Sequence, residues 1–405
     1  MKNERYLKQG ETKMLSNREE LKEYLDFRKD NDVWSFPYMA SDLGVVGLNN
    51  YPLLLPGLCK NVVIKKSHFE LKSGDIDYES EEAVECLEST GLFVAFPLEG
   101  KMCTLPTSSN AFTNILMRTD DYCGTMTRME PKANKKVLPI EEKAARLNRD
   151  MELHGDICRI LYRDKKVQAV LSKEYVILPV DELIGVLEDV LSKDHPDIKF
   201  TDGMISEEYL VARYELNSRG IEEELRLKLN DLGSNINTLK ACVQFSTSDI
   251  GMSSVSADVF FECDGVKIFL SSIKMPHKGT DTSVDLFRDK LEDFGNALKE
   301  SEEQIERLGN IELNDVPLVV EKITSHYSSV FPEKITREVI DELKLTFKSG
   351  GTAIDAYMAL NDIIDRHAST NDLSPSRYLQ LTEQVGKMMK LPYDRIESDD
   401  HIWHI

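Results

Sequence analysis

The amino-acid sequence predicts an α+β fold with a mixed N-terminal region, a central region of β-hairpins with helices, and a helical C-terminal region. Asp264-Gly265 separates two β-rich runs, Val255–Phe261 and Val266–Leu270, which is a strong hairpin pattern because both turn positions favour positive φ. Apolar residues of the last third recur at spacings of three and four, which is typical of helices. These patterns predict three parts, covering residues 1–139, 140–275 and 276–405.

The N-terminal region is predicted to open with a helix and continue in short strands and loops. Leu21, Tyr24 and Leu25 have helical spacing, and Ser16 with Glu19 three residues later matches a capping box. Prolines and glycines crowd the chain after the helix, which favours loops over long elements. The strands predicted here are Val62–Ile64 and Leu92–Phe96, the second ending at Pro97.

The central region alternates helical and strand patterns. Ile140–Leu153 has helical spacing, and a further helix is predicted to start at Asp181. Ile157–Tyr162 and Val167–Leu171 are predicted to form a hairpin around a turn at 164–166. Besides the Asp-Gly hairpin, the remaining strands predicted are Tyr175–Leu178, Tyr209–Leu216 and Ala241–Phe245.

The C-terminal region is predicted to be helical. Its first helix carries a heptad seam made of Phe287, Leu291, Phe294, Leu298, Ser301, Ile305 and Leu308. Such a short seam favours an intramolecular helix pair, and a coiled-coil homo-oligomer is the alternative. The later helices predicted are Ile335–Phe347, a helix capped by Thr352 and Asp355, and Pro375–Met389, followed by an acidic tail.

The composition excludes one class of nucleic-acid-binding protein and argues against two locations. The 50 Lys and Arg against 71 Asp and Glu give a formal net charge of −21, which excludes binding to nucleic acid by bulk charge but not by a local basic groove. No apolar run approaches the ~18 residues that span a bilayer, so no membrane partner is predicted. The seven scattered cysteines favour reduced thiols over a secreted disulfide framework.

None of the candidate catalytic or metal motifs is complete. Gly350-Gly351-Thr352 lacks the Lys-Ser/Thr ending of a phosphate loop and is explained by a helix end followed by a helix start. His154 and Cys158 have no second pair of metal ligands. No Gly-x-Ser-x-Gly elbow is present. We therefore predict no catalytic residue, no metal and no cofactor.

A basic segment at the predicted 157–171 hairpin is the strongest chemical signal in the sequence. Aromatic side chains are interleaved with its cations, a combination that suits phosphate neutralisation together with base stacking. The alternative is a solvated hairpin edge on which lysines oppose strand-to-strand aggregation. The candidate nucleic-acid-binding residues are Arg159, Tyr162, Arg163, Lys165, Lys166, Lys173 and Tyr175.

Several short patterns between residues 141 and 389 resemble a family of phage/plasmid-like proteins titled domain of unknown function nine-three-two. Arg163–Tyr175 is similar to its basic hairpin, with Gln168 in place of an arginine, and Ser246–Ser254 to its segment before a strand. Thr352–Leu360 and Leu381–Met389 are similar to its closing helices. The resemblance implies a mobile element in a bacterial cytoplasm, and it implies no mechanism.

Three functional hypotheses follow. The first is a non-enzymatic accessory factor of phage or plasmid DNA replication or recombination, which binds single-stranded or distorted nucleic acid at the basic hairpin. The second is an acidic factor that binds a basic host or phage protein, as a nucleic-acid mimic or inhibitor, through the helix at 292–306 and the tail at 397–400. The third is a virion or assembly component.

Overall fold

The chain divides into two compact units in a computed structural model. The structure describes residues 7–8, 10–47, 63–65, 70–72, 80–98, 101–117, 139–154, 156–232, 236–370 and 373–398. The first unit comprises the described residues of Met1–Gln9, Tyr24–Ile177 and Ile250–Met252, and the second those of Gly10–Glu23, Leu178–Asp249 and Ser253–Ile405. The predicted boundaries after 139 and 275 thus fall inside the first and second unit respectively.

The first unit is built from short strands and four helices, one of which, α1, begins in the residues of the second unit. Its elements are α1 (Arg18–Asn31), β2 (Val33–Trp34), β3 (Tyr38–Met39), β4 (Gly44–Gly47), β5 (Val63–Lys65), β6 (Glu70–Lys72), α2 (Glu81–Glu88), β7 (Leu92–Leu98), β8 (Lys101–Pro106), α3 (Ser109–Met117), α4 (Ile140–His154), β9 (Ile157–Arg163) and β10 (Lys166–Ser172). Antiparallel sheets form in the orders β10-β9-β2, with β3 also on β9, and β4-β7-β8.

The core of the first unit lies between these sheets and helices α3 and α4. Val45, Phe96, Leu147 and Ile160 are completely buried in one apolar cluster. Gly47 packs so closely on α4 that a Cβ atom would lie 2.3 Å from the carbonyl oxygen of Ile140, so a side chain does not fit there. This close contact fixes β4 against the helix that leads into β9.

The second unit combines one long antiparallel sheet with helices. Its elements, besides the start of α1, are β1 (Lys13–Leu15), α5 (Val180–Asp194), β11 (Lys199–Ile205), β12 (Leu210–Glu215), α6 (Arg219–Asp231), β13 (Leu239–Ser248), β14 (Ser253–Cys263), β15 (Val266–Met275), α7 (Val284–Glu292), α8 (Phe294–Gly309), β16 (Glu312–Leu313), α9 (Val316–His326), α10 (Glu333–Thr346), β17 (Gly351–Thr352), α11 (Ala353–Thr370), α12 (Pro375–Met388) and α13 (Tyr393–Ser398). The strand order of the six-stranded sheet is β1-β11-β12-β13-β14-β15.

Helices cover the sheet of the second unit and protect one of its edges. Phe245 on β13 packs edge-to-face on Phe287 of α7, with ring centroids 6.1 Å apart. At the last strand, the N–H of Lys267 donates to Asp365 (2.9 Å) and the hydroxyl of Tyr357 donates to the carbonyl of Phe269 (2.7 Å). Side chains of α11 thus satisfy outer backbone groups of β15, which blocks pairing with another chain.

The α+β class predicted from the sequence is confirmed, and the Asp-Gly hairpin is present. Asp264 and Gly265 have φ of 48° and 90°, as the favoured two-residue turn requires. The heptad seam is interrupted at Asp293, which separates α7 from α8, and its seven residues are buried within the chain. The seam packs on the sheet as well as on helices, since Ser301 bonds Ser271 of β15 at 3.0 Å.

Three local predictions were wrong. The cap of α1 is Asn17, which accepts from the N–H of Glu20, rather than Ser16 with Glu19. Strand β7 continues through Pro97 to Leu98, since proline is tolerated where its missing N–H is not needed by the ladder. Tyr175 makes only an isolated bridge, and residues 176–179 form no strand.

Candidate functional site

The β9–β10 hairpin of the first unit carries five of the seven candidate residues predicted from the sequence, and the other two, Lys173 and Tyr175, directly follow β10. Arg163 pairs with Lys166 across the turn, and both central residues have positive φ, 47° at Asp164 and 58° at Lys165. This geometry fits a tight two-residue turn that follows the right-handed twist of the strands. The turn leaves Lys165 exposed at the tip of the hairpin.

Arg163 belongs to a buried ion-pair triad. Its guanidinium binds the carboxylate of Asp32, which also binds the guanidinium of Arg28. Burial alone would raise the pKa of Asp32, but the two guanidinium groups hold that pKa below its ordinary value. Arg163 is only 4% exposed, so its guanidinium is held in the interior of the unit rather than presented to solvent.

Lys166 is the second candidate cation with an internal partner. Its side chain is fully buried, and its ammonium lies 3.2 Å from a carboxylate oxygen of Glu85 on α2. A buried ammonium without a carboxylate would be strongly destabilising, so this pair is required by the packing of the hairpin against α2. The charge is therefore directed into the protein.

The two candidate stacking residues also pack inside the unit. Tyr175 is 5% exposed, and its ring stacks on Trp34 with centroids 5.7 Å apart and planes 23° apart. Burial raises the pKa of Tyr175 well above its ordinary value. Tyr162 is half-buried against Phe96, with centroids 5.9 Å apart.

The remaining three candidates are Arg159, Lys165 and Lys173. Arg159 is half-buried, and its Nε atom has no hydrogen-bond partner among the described residues. Lys165 and Lys173 are exposed at opposite ends of β10. Seven strand residues lie between them, so eight residue steps separate the two lysines, which corresponds to about 26 Å. The hairpin thus brings Arg163 and Lys166 together in its interior and keeps the exposed lysines apart.

An acidic surface lies on α6 and α8 of the second unit, and we define it by Glu224, Glu302, Glu303 and Glu306. Lys228 lies between Glu224 (3.1 Å) and Glu306 (2.7 Å) and is shared by both carboxylates. Burial is the largest cause of the raised pKa of Glu302; the charges of Lys228 and Lys299 lower this pKa, and the charges of Glu224 and Glu306 raise it. Lys228 therefore bridges Glu224 and Glu306, and the charge of Glu302 interacts with all three groups.

A cavity of about 790 Å³ in the second unit was not anticipated from the sequence. Across it, Arg18 forms two bonds to the carboxylate of Glu188, at 2.7 and 2.9 Å, and the hydroxyl of Tyr214 donates to the same group at 2.8 Å. Burial and the charge of Glu188 raise the pKa of Tyr214. The lining residues are Ser16, Asn17, Arg18, Glu19, Glu188, Asp189, Ser192, Ile198, Lys199, Phe200, Thr201 and Tyr214.

Sequence reasoning missed this cavity because its walls come from three distant segments. Arg18 and Glu188 are 170 residues apart in the chain, and neither forms part of a local motif. The one available signal was polar or charged side chains at the predicted ends of α1 and α5, which are common on any surface helix. Only the fold brings these residues together.

Comparison with known proteins identifies no relative of this chain, so its function is argued from the residues of the site. No protein-family model, no curated protein and no solved structure matches this chain. Within the ranges that the structure describes, no helix is long and apolar enough to cross a membrane. The function is therefore argued from charges, partners and exposure of the residues above.

Proposed function

We propose that this chain is a non-enzymatic binding factor whose acidic surface on α6 and α8 engages a basic protein. The observation that carries the proposal is that Glu224 and Glu306 share the ammonium of Lys228 and that their charges also raise the pKa of the neighbouring Glu302. Like charges held this close repel one another, and a lysine- or arginine-rich partner relieves that repulsion. The net charge of −21 adds long-range attraction for the same class of partner.

The first experiment compares two triple variants of the full chain that change the net charge equally. Glu224→Gln, Glu302→Gln and Glu303→Gln remove charge from the acidic surface. The matched control replaces Glu312, Glu321 and Glu338, which are exposed and have no ion pair among the described residues, by Gln. The probe is a fluorescent decapeptide of alternating Lys and Ser, and its binding is followed by fluorescence anisotropy at about 0.1 M salt.

The two variants separate local binding from bulk attraction. We expect the surface variant to weaken peptide binding about tenfold, since it removes three close charges of up to about 1 kcal/mol each. The control should stay within about twofold of the natural chain, because distant charges are screened beyond about 10 Å. Equal losses in both variants would show attraction without a site and would contradict the proposal.

Nucleic-acid binding at the β9–β10 hairpin is a second proposal. It is supported by Lys165 and Lys173, whose exposed ammonium groups are available to phosphates. Single-stranded nucleic acid tracks a basic groove, and binding by phosphate neutralisation weakens steeply with salt. Lys165→Glu with Lys173→Glu should abolish binding of a labelled 20-nucleotide single strand if these lysines hold it. Absence of binding by the natural chain at low salt would reject this proposal.

The biological setting is proposed from the sequence alone. The resemblance of Arg163–Tyr175 and Ser246–Ser254 to the domain-of-unknown-function nine-three-two family supports a phage or plasmid protein in a bacterial cytoplasm. In that setting the basic partner is a host or phage protein. Isolation of the chain with its partner from infected cells, with the triple variant on the acidic surface as control, tests this assignment.

A further inference from the structure

Among the described strands, one half of β11 has a partner on one side only, and this half-strand lines the cavity of the second unit. β1 pairs with Gly203–Ile205 through Lys13–Leu15, and the chain then leaves the sheet because α1 begins at Arg18. Lys199–Asp202 pair with β12 alone among the described strands. On the side where the β1 ladder would continue, this half-strand therefore carries backbone groups that no described strand pairs with.

The two ends of the six-stranded sheet differ in how their outer backbone groups are satisfied. On β15, Asp365 and Tyr357 bind the backbone of Lys267 and Phe269. Within the described part of the chain, no side chain binds the backbone of Lys199–Thr201 in the same way. The edge is also accessible, since Lys199 and Thr201 are exposed and Phe200 is half-exposed.

The cavity beside this edge has the size and chemistry of a peptide site. Its volume of about 790 Å³ lies within the range of ligand pockets, and four edge residues span about 13 Å of extended chain. The Arg18–Glu188 pair forms one wall, and Phe200 supplies an apolar surface. Glu19 and Asp189 are exposed carboxylates at the cavity, where Lys199 is the one lining cation outside the Arg18–Glu188 pair.

We propose that the open half of β11 binds an extended peptide segment of a partner protein by β-strand addition, with a Lys or Arg of the peptide between Glu19 and Asp189. The peptide takes the position that β1 would occupy if it continued past Leu15, so the backbone supplies affinity and the carboxylates supply side-chain selection. This site is separate from the acidic surface on α6 and α8, and the inference does not rest on the proposed function.

The test measures amide hydrogen exchange of the full chain with four pooled octapeptide libraries. Three libraries are randomised except for a central Lys, Ala or Glu, and the fourth is the Lys library with every backbone nitrogen methylated, so that neither edge of the peptide can donate to a strand. We expect the Lys library to slow exchange of the outward-facing amides of Lys199–Thr201 about tenfold, the effect of one or two new hydrogen bonds. The methylated library should have no effect, because it lacks the donors for strand pairing.

Charge-reversal variants test the side-chain selection. In the double variant Glu19→Lys with Asp189→Lys, the Glu library should slow amide exchange more than the Lys library does. The slowing by each library should change by about fivefold, as expected for an exposed charge pair. The matched control is Asp194→Lys, five residues later and about 140° further round α5, outside the cavity lining. This control should leave the order of the libraries unchanged.

Four outcomes would overturn the inference. The first is that no library slows amide exchange of Lys199–Thr201 at millimolar peptide, and the second is that the methylated library slows it as much as the Lys library does. The third is that the double variant keeps the natural order of the libraries. The fourth is that exchange slows with rising protein concentration before any peptide is added. The last outcome would assign the edge to a second copy of this chain. Circular dichroism of each variant confirms folding, so loss of binding is not attributed to loss of structure.

Discussion

At the residue scale, the ability of the hairpin to bind a ligand depends on whether each basic side chain is exposed or is paired with an acid in the interior. Arg163 and Lys166 are bound by Asp32 and Glu85, which lie 131 and 81 residues away in sequence. The charge pattern of a segment shows which cations the segment contains. It does not show which acids from distant parts of the chain pack against those cations in the folded protein. The sequence therefore identifies a basic hairpin correctly and cannot tell whether its charges face solvent or the interior.

Arg163→Met tests whether this cation is structural. We expect a loss of about 1 to 3 kcal/mol in the free energy of unfolding, because Asp32 stays buried with Arg28 as its remaining partner. Lys165→Met, at the exposed tip of the same hairpin, should change stability by less than about 0.5 kcal/mol. Urea unfolding of both variants measures the difference, and equal small effects would show that Arg163 is not held in the interior.

The pH dependence of stability gives an independent check on Asp32. Its folded pKa lies below the unfolded value of about 3.9, so the ionised form stabilises the fold above that pH. This contribution is lost as the pH falls below about 3.9 through the folded pKa. The natural chain should therefore lose stability on acidification more steeply than Asp32→Asn, measured by urea unfolding between pH 5 and 2.5. If the free energy of unfolding of the two proteins changed in parallel with pH, the result would contradict the Arg28–Asp32–Arg163 triad.

At the element scale, local patterns predict structure well where a turn or a helical period dictates it. The Asp264-Gly265 turn and the helix at 140–154 follow from residue types within a few positions. The helical spacing predicts that the seam of α7 and α8 is buried. It does not predict what the seam packs against, because the contacting residues Ser271 and Phe245 lie on separate strands. The cavity depends on where β1 ends beside β11, which no local pattern contains.

Asp264 shows how one turn residue stabilises a hairpin. Its carboxylate accepts hydrogen bonds from the N–H groups of Asn237 (3.1 Å) and Thr238 (2.8 Å), and these bonds lower its pKa against the effect of burial. Asp264→Ala should lower the free energy of unfolding by about 1 to 2 kcal/mol, since it removes the acceptor and strains a positive φ. Asp264→Asn should lose less than half of that in thermal unfolding, and equal losses would show that the acceptor contributes nothing.

Glu302 tests whether burial and the neighbouring carboxylates together destabilise a charge on the acidic surface. Its folded pKa is raised, so stability is greatest when it is protonated and falls as the pH rises through that pKa. Glu302→Gln should therefore stabilise the chain at neutral pH by up to about 0.5 kcal/mol, the scale of a removed like-charge pair. Glu338→Gln is the control with no expected change, and destabilisation by Glu302→Gln in urea unfolding would contradict the account.

At the scale of the whole molecule, the excess of 71 acidic over 50 basic residues is distributed unevenly. In the β9–β10 hairpin of the first unit, two candidate cations are paired internally, whereas on α6 and α8 two carboxylates, those of Glu224 and Glu306, share Lys228. Charge arranged this way favours association with a basic partner over association with phosphate. The net charge was evident from the sequence, but this distribution required the fold.

Carboxylate footprinting of the full chain tests the central claim most directly. The chain is labelled at exposed Asp and Glu side chains with and without the alternating Lys-Ser decapeptide, and each site is quantified by mass spectrometry. We predict reduced labelling of Glu224 and Glu303 and unchanged labelling of Glu312, Glu321 and Glu338. Uniform reduction across all five sites, or reduction confined to the last three, would contradict a binding surface on α6 and α8.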